Sequence, residues 1–393
     1  MKTEVLDPQP FPLLQWFAGL ALCIVIFLSG ALNIFLDLKR GVVPFLLTTL
    51  AAFSVVPFYA LLILLLDRHE REPGWLLLAA FFWGAAVATL AAGIANTLLH
   101  SLFRALLGPK LADVWTPPLA APLTEETAKG LVVLLMAAVW RREFNNTLDG
   151  IVYGALAGLG FAAVENVGYF LRALEQGGLA ALGISFYFRA LLGGLGHSAY
   201  TACTGAGIGY AREAKTPAER VAAPLVGYFL AMFLHFAWNF TATFLSPVLD
   251  RLTGGNLLVD MLVLTPLTVA VLEGPAWVTL LVLAHLAWKR ERALIASHLQ
   301  DEPEDVVRKE ELPLLLSPLR RLRLLWRVFV RSGVRQWADL RGLFDLLADF
   351  AFAKHDVAEG RRTPAELDRY RTRIRELRRR LGHVAGAHEG NSP

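Results

Sequence analysis

The sequence predicts an all-α protein: a polytopic transmembrane helical bundle of about eight spans, followed by a C-terminal helical cytosolic extension. Three observations carry this expectation. Of the 393 residues, 55% are apolar and only 18% charged, against roughly 45–50% and 25% in a soluble globular domain, and the mean hydropathy is +0.48. The charge is also unevenly placed, because residues 289–393 hold 22 of the 38 Lys and Arg and 16 of the 34 Asp and Glu. The remaining 16 basic and 18 acidic side chains are too few to coat a water-soluble globule of 288 residues. Several uninterrupted apolar runs exceed the roughly 18–20 residues that cross a bilayer core. A soluble enzyme, a secreted disulfide scaffold and a disordered chain are excluded.

The expected spans are about 13–36, 42–66, 75–99, 118–140, 148–172, 186–211, 221–245 and 260–288. Helices satisfy the backbone of such single spans internally, and the runs lack the alternation of a lipid-facing barrel strand. The first run is too long for a signal-peptide core and has no small-x-small cleavage site, so it reads as a retained span. The last is interrupted by Glu273-Gly274-Pro275. Cys23 and Cys203 both fall inside apolar runs and define neither a disulfide framework nor a CxxC site. There is no internal repeat of the kind many transporters carry.

Basic residues in short loops orient the bundle. With eight spans, Lys2, Arg68, Arg71, Arg141, Arg142, Arg212, Lys215, Arg220, Lys289, Arg290 and Arg292 share the side of the termini. Lys39, Arg40, Arg104, Lys110, Arg172 and Arg251 face the other side. Eleven against six places both termini in the cytoplasm. The chain divides into a transmembrane domain, 1–288, and a basic helical cytosolic tail, 289–393. In the tail, Leu319–Arg335 mixes Arg with Leu, Trp, Val and Phe. That pattern suits either a basic amphipathic helix on an anionic leaflet or an ordinary solvated helix. Thr363-Pro364-Ala365-Glu366 reads as a capping box opening a charged helix that ends near Gly382. The Arg clusters form no recognisable nucleic-acid motif, so no nucleic-acid partner is expected.

Ionisable groups inside a span are costly and therefore rare. Glu125 and Glu126 lie early in the fourth span, Glu165 in the fifth, His197 in the sixth and His235 in the seventh, with Asn239 one turn further on. Each has a bland explanation. A lone histidine packs and hydrogen-bonds a neighbouring helix, Glu165 pins helices through an Arg or Ser, and the glutamate pair faces the interface. Against this, the eight-span topology puts all five groups in one layer about 10–17 Å deep, at 1.5 Å per residue. Lys129 lies on the helical face of the two glutamates and could hold one ionised. Carboxylates and imidazoles meeting in a cavity suit a divalent metal such as zinc, or direct activation of water by a glutamate. Glu165, His197 and His235 are the expected metal trio, one per helix, with no HExxH pair to supply two histidines from one face.

The same residues resemble the PrsW family of intramembrane proteases, within the group that includes the CAAX prenyl endopeptidases. Its motifs read here as Glu125-Glu126-Thr127-Ala128-Lys129, Phe161-Ala162-Ala163-Val164-Glu165, His197, and His235-Phe236-Ala237-Trp238-Asn239. Glutamate at the end of the second motif is similar to PrsW rather than to the prenyl endopeptidases. The loop Asp67-Arg68-His69-Glu70-Arg71-Glu72-Pro73 matches the family's D-x-x-EPEP pattern in part, with Arg71 in place of a proline. The resemblance covers about residues 60–245. It implies a multi-pass protein of the bacterial cell membrane that cuts membrane-anchored protein substrates and binds a divalent metal, zinc by expectation. Glu125 or Glu126 would then activate water, Glu165, His197 and His235 would bind metal or orient the water, and Asn239 would fix His235 or the oxyanion. Two rivals stand beside this reading: a transporter or ion-coupled channel that uses the same residues, and a silent partner that sequesters membrane proteins through small-residue helix faces such as Gly193-Gly194 and Gly205-Ala206-Gly207.

Overall fold

The computed structural model describes residues 12–67, 72–141, 143–360 and 362–389, and these are helical throughout with no strand. Lys2, Arg68, Arg71 and Arg142, used above for orientation, and His69 and Glu70 of the loop motif lie outside the described residues. The described residues separate into two compact units: 12–66 with those from Glu72 to Ala284 in one, and Asp67 with those from His285 onward in the other.

The first unit opens with α1 (Pro12–Leu38), α2 (Val42–Ser54) and α3 (Val56–Leu64). Next come α4 (Gly74–Phe82), α5 (Thr89–Leu107), α6 (Pro109–Trp115) and α7 (Ala121–Val139), with π-helical turns at Trp83–Ala88 and Thr116–Ala120. Then follow α8 (Thr147–Phe186), α9 (Gly196–Glu213), α10 (Pro217–Phe240), α11 (Ser246–Leu252), α12 (Leu257–Val259) and α13 (Thr265–Leu272). Helix α14 (Gly274–Leu299) begins in this unit. Polar loops set where the long helices start. Asn146 Oδ1 accepts from the Leu148 and Asp149 amides at 2.6 and 3.1 Å, while the Asp149 carboxylate accepts from the Asn146 amide at 3.1 Å. Thr216 and Glu219 form the same reciprocal cap on α10, with Pro217 preset for a first helical turn.

Helix α8 is the centre of this unit, with 147–163 buried along its whole circumference. It packs against α9 without intervening side chains. A Cβ on Gly150 would stand 2.0 Å from Gly205 O, one on Gly154 2.5 Å from Thr201 O, and one on Gly158 2.2 Å from His197 O. Partner numbers fall as the α8 numbers rise, so the two helices run antiparallel. Without a hydrophobic drive between helices in lipid, such small-residue seams let dispersion and backbone contacts hold them together. The outer faces are apolar: Phe27, Leu50, Leu98 and Phe233 are exposed, while Glu126 and Lys129 are fully buried.

Five helical stretches are long and apolar enough to cross a membrane: 14–38, 42–64, 74–107, 147–213 and 217–252. The pair 257–272 and 274–299, bent by 46°, makes a sixth if it counts as one. The expected count of about eight is therefore not reproduced by length and composition. Helix α7, with Glu125, Glu126 and Lys129 in 19 residues, is not among the five. The stretch 147–213 counts once although it folds back on itself.

The fifth and sixth expected spans also differ in outline. No loop separates them; α8 runs on to Phe186 across a kink at Gly177 and Gly178, the latter at φ 63°. The expected continuous span 186–211 is instead broken at 193–195. Breaking a helix frees carbonyls, and Tyr59 answers them: its hydroxyl lies 2.9 Å from Ala190 O and 3.0 Å from Leu191 O. His197 is consequently the second residue of α9 rather than a mid-span residue.

The second unit buries an apolar core. The end of α14, α15 (Leu312–Leu315), α16 (Pro318–Ala358) and α17 (Ala365–Glu389) enclose Ile295, Leu299, Leu315, Leu343, Leu347, Phe350 and Ile374. Helix α17 continues past the expected end near Gly382. Its capping box is one-sided: the Glu366 carboxylate accepts from both the Thr363 amide and the Thr363 hydroxyl, each at 3.2 Å. Glu302 ties three elements, accepting from Lys354 Nζ at 2.6 Å and from Arg371 Nη2 at 3.0 Å.

Two predictions follow from the packing and from this ion cluster. Gly150→Ala forces the α8–α9 seam apart, an overpacking cost of about 1–3 kcal/mol, and lowers the melting temperature in detergent. Gly168→Ala, with nothing within 4 Å of its added Cβ, leaves it unchanged or raises it. Equal loss in both variants would refute the seam. For Glu302, burial raises the carboxyl, but hydrogen bonds from Arg371 and Lys354 outweigh it and hold it below 4.5. A depressed folded-state value contributes stability that is complete above the unfolded value and is lost as pH falls below 4.5 through the folded one. Amide protection in 343–353, corrected for intrinsic exchange, falls below that pH, and Glu302→Gln removes this pH dependence.

Candidate active site

Four helices meet around one buried charge pair. On α7, Glu126 and Lys129 are one turn apart and both inaccessible, with Lys129 Nζ 2.5 Å from Glu126 Oε1. The same oxygen accepts from His235 Nδ1 of α10 at 2.9 Å. The other oxygen accepts from the Thr201 hydroxyl of α9 at 3.0 Å. Lys129 also reaches His197 Nδ1 of α9 at 3.0 Å and lies 4.5 Å over the Phe161 ring of α8. Each group here is desolvated, so each demands a partner.

For neutral imidazoles beside a charged Lys129–Glu126 pair, these contacts assign the ring protons. A glutamate oxygen already bonded to an ammonium only accepts, so His235 donates from Nδ1 and keeps its Nε2 lone pair free. An ammonium only donates, so His197 accepts at Nδ1 and carries its proton on Nε2. That Nε2 lies 3.1 Å from Glu165 Oε2, the matching acceptor. Glu165 also accepts from Arg189 Nη2 at 2.7 Å, and Arg189 Nε donates to Asn166 at 2.9 Å. Glu165 thus makes the helix-pinning contact to an arginine while also holding His197.

Glu125 is placed differently from Glu126. Its Oε1 accepts from Asn96 Nδ2 at 3.3 Å, and Asn96 in turn accepts from the Thr124 hydroxyl at 2.5 Å. Its Oε2 is buried with no hydrogen-bond partner and lies 3.8 Å from His235 Nε2. A buried carboxylate oxygen without a donor is costly and calls for an explanation.

The structure brings Glu125, Glu126, Glu165, His197 and His235 together. Asn239 it does not: its amide donates to Pro117 O at 2.8 Å, in the turn that leads into α7. The donor group that could hold a metal is Glu125, His197 and His235, whose ligand atoms lie within 4.8 Å of one another. This differs from the expected trio by Glu125 in place of Glu165. Two of the three donors fit such an ion as they stand: Glu125 Oε2 has no hydrogen-bond partner and His235 Nε2 makes no hydrogen bond, while His197 has Nδ1 on Lys129 and Nε2 on Glu165. Oriented by Glu126 through its other nitrogen, His235 has the carboxylate–histidine arrangement common behind metal ligands.

Five further residues belong to the site. The Tyr200 ring stacks on His235, centroids 5.3 Å apart, and its hydroxyl is 3.4 Å from Glu273 Oε1. Arg189, His197, Tyr200 and Glu273 line a cavity of about 30 Å³, enough to hold a water molecule. Thr201 and Asn96 complete the list. Tyr200 and Thr201 follow His197 by three and four residues, a helical face that spacing alone reveals. Glu273 is an acid within an apolar run, visible as an interruption but not as a site residue.

A family model described as PrsW family intramembrane metalloprotease matches residues 72–271. Protease PrsW of Clostridioides difficile (strain 630) is 33% identical over 103 residues, which is 26% of this chain and 42% of that protein. Protease PrsW of Geobacillus kaustophilus (strain HTA426) is 29% identical over 193 residues, 49% of this chain and 78% of that protein. No solved structure matches. The matched region spans α4 to α13 and holds every buried carboxylate and imidazole of the cluster except Glu273, and this chain belongs to the PrsW family of intramembrane metalloproteases.

Proposed function

We propose that this protein is an intramembrane endopeptidase that hydrolyses peptide bonds of membrane-anchored protein substrates. The observation that carries the reading is the unpartnered, buried Glu125 Oε2 facing the free Nε2 of His235. Two acceptors 3.8 Å apart are a place where one water donates a hydrogen to each and turns its own lone pairs outward. The water oxygen attacks the peptide carbonyl carbon as Glu125 takes its proton. Glu125 then returns that proton to the amide nitrogen as the C–N bond breaks. Glu126 has both oxygens committed to Lys129, His235 and Thr201, so its role is to orient His235 rather than to accept the proton. Asn239 acts on the start of the glutamate helix through Pro117.

In the alternative, metal-dependent form, a divalent metal, zinc by expectation, would be held by Glu125, His197 and His235 in place of their contacts to the water; it would lower the pKa of water and polarise the scissile carbonyl, with Glu125 a ligand rather than the base. His197 would then offer Nδ1 to the ion in place of its hydrogen bond from Lys129, and Lys129 would keep its pairing with Glu126. A transport role for the same residues is not favoured, since the family match points to proteolysis.

The reading extends to topology. We take 147–213 as two antiparallel crossings, α7 as a further one, and the bent pair beyond 257 as the last. That gives eight, with both termini cytoplasmic and 289–393 as a cytosolic helical extension of a transmembrane domain, in a bacterial cell membrane. The second unit contributes none of the groups in the cluster.

Two measurements test the chemistry. Glu125→Gln lowers the cleavage rate of a single-pass model substrate by about 10²–10⁴ while leaving the melting temperature near that of the parent. Glu126→Gln lowers rate and stability together, because it strands Lys129 and His235, a loss of about 3–5 kcal/mol for a broken buried pair. Activity within tenfold of the parent in Glu125→Gln would remove Glu125 as the base. Prolonged chelation followed by metal analysis decides the ion: the metal reading expects activity to fall with bound metal and return on zinc addition. Full activity in protein shown to be metal-free would leave Glu125 acting alone.

A further inference from the structure

We propose that the N-terminal arm of α16 is a membrane-surface anchor that lies on an anionic lipid leaflet. The helix is not one rod. Gly333 adopts φ 81° and ψ 178°, outside the helical region, and separates an arm of 318–332 from the half that carries Leu343, Leu347, Phe350 and Ala351 into the core. The arm has three distinct faces. Its inner face packs on that same core through Leu325, with Leu324 against it and Arg321 buried alongside. Its outer face is a stripe of Leu319, Leu322, Trp326, Phe329 and Val330, each between 41% and 67% exposed. The flank between them holds Arg320, Arg323, Arg327 and Arg331, all exposed.

The inner contacts lock the arm in rotation, so the stripe cannot turn inward without unpacking Leu325. It stays exposed as a contiguous apolar strip, which a solvated helix has no reason to carry. The stripe's spacing of three and four residues is that of a single helical face. Trp326 and Phe329 stack at 5.7 Å, forming a broad aromatic edge suited to the headgroup boundary. The charge selects the occupant. Residues 318–335 hold six arginines and no acidic residue, and the four flank arginines have no ion-pair partner among the described residues. A protein surface would have to supply an acidic rail beside an apolar groove. An anionic leaflet supplies both, over any length, to a chain that is itself membrane-embedded.

The test uses the full chain with Cys23→Ser and Cys203→Ala and an environment-sensitive NBD label on Leu322→Cys or Val330→Cys. Lys309→Cys, on a lysine whose side chain is 90% exposed, is the solvated control. In vesicles of phosphatidylcholine with phosphatidylglycerol, labels at 322 and 330 are quenched by doxyl lipids and shielded from iodide, and the label at 309 behaves oppositely. In phosphatidylcholine alone, or at high salt, the protection weakens. Replacing Arg320, Arg323, Arg327 and Arg331 with Gln lowers the docking constant on the order of a hundredfold or more. The salt series on the parent arginines gives the same comparison with no change of sequence. Equal iodide access at 322 and 309 in anionic vesicles would overturn the proposal in favour of a solvated face. Shielding from iodide without doxyl quenching would overturn it in favour of a protein occupant, with loss on dilution identifying a second copy.

Discussion

A lysine and a glutamate with no access to solvent, 2.5 Å apart on one helix turn, set the demands that the membrane-embedded unit meets. An ionised carboxylate offers about four lone-pair sites and an ammonium three donors, and each left empty in an apolar interior is costly. One turn of α7 cannot fill them. His235, Thr201, His197 and the face of Phe161 do so from three other helices. Those helices must approach within reach of short side chains, which is what the glycine seam of α8 and α9 allows. The polar centre and the side-chain-free interface are two halves of one requirement.

That requirement explains what was legible in the sequence. A charge inside an apolar run is an anomaly that composition alone exposes, so Glu125, Glu126, Glu165, His197 and His235 could be singled out and expected to share a layer. Which oxygen faces which nitrogen was not legible, because it depends on helix rotation and on rotamers that spacing does not encode. Hence Glu165 was expected among the metal donors, whereas its carboxylate is occupied by Arg189 and His197. Asn239 shows the same gap. Four residues along a helix is a rise of about 6 Å, enough to carry its amide past His235 to Pro117. The breaks at Gly177–Gly178 and 193–195 were hidden for another reason: glycine is common in membrane helices, so it does not mark an interruption there. The count of apolar spans suffered from the function itself, since the charges that make α7 interesting also disqualify it as an apolar helix.

The two units invert each other. One keeps charge inside and presents Phe27, Leu50 and Phe233 outward; the other buries Leu347, Phe350 and Ile374 and places Arg375 and Asp305 on its surface, 2.6 Å apart. The first is the arrangement that lipid favours and the second the arrangement that water favours. The outer stripe of the α16 arm departs from the rule within the second unit, on a helix whose other side obeys it. Gly333 makes this compatible, since the backbone turns there and the following half resumes its place in the core without imposing its phase on the arm.

Hydrolysis inside hydrocarbon raises a question of supply, because every bond cut consumes a water that the surroundings do not hold. The helix break before α9 bears on this. Tyr59 has one hydroxyl proton and stands between Ala190 O and Leu191 O, so at any instant one carbonyl is left with spare acceptor capacity. Gly193, within the break, and Gly196, just after it, line the small cavity that His197 and Glu273 share. Spare carbonyls, absent side chains and a polar hollow occur together within a few residues, the conditions under which a water file is solvated along its length. The segment that interrupts the span thus gathers spare backbone acceptors around a hollow the size of one water molecule.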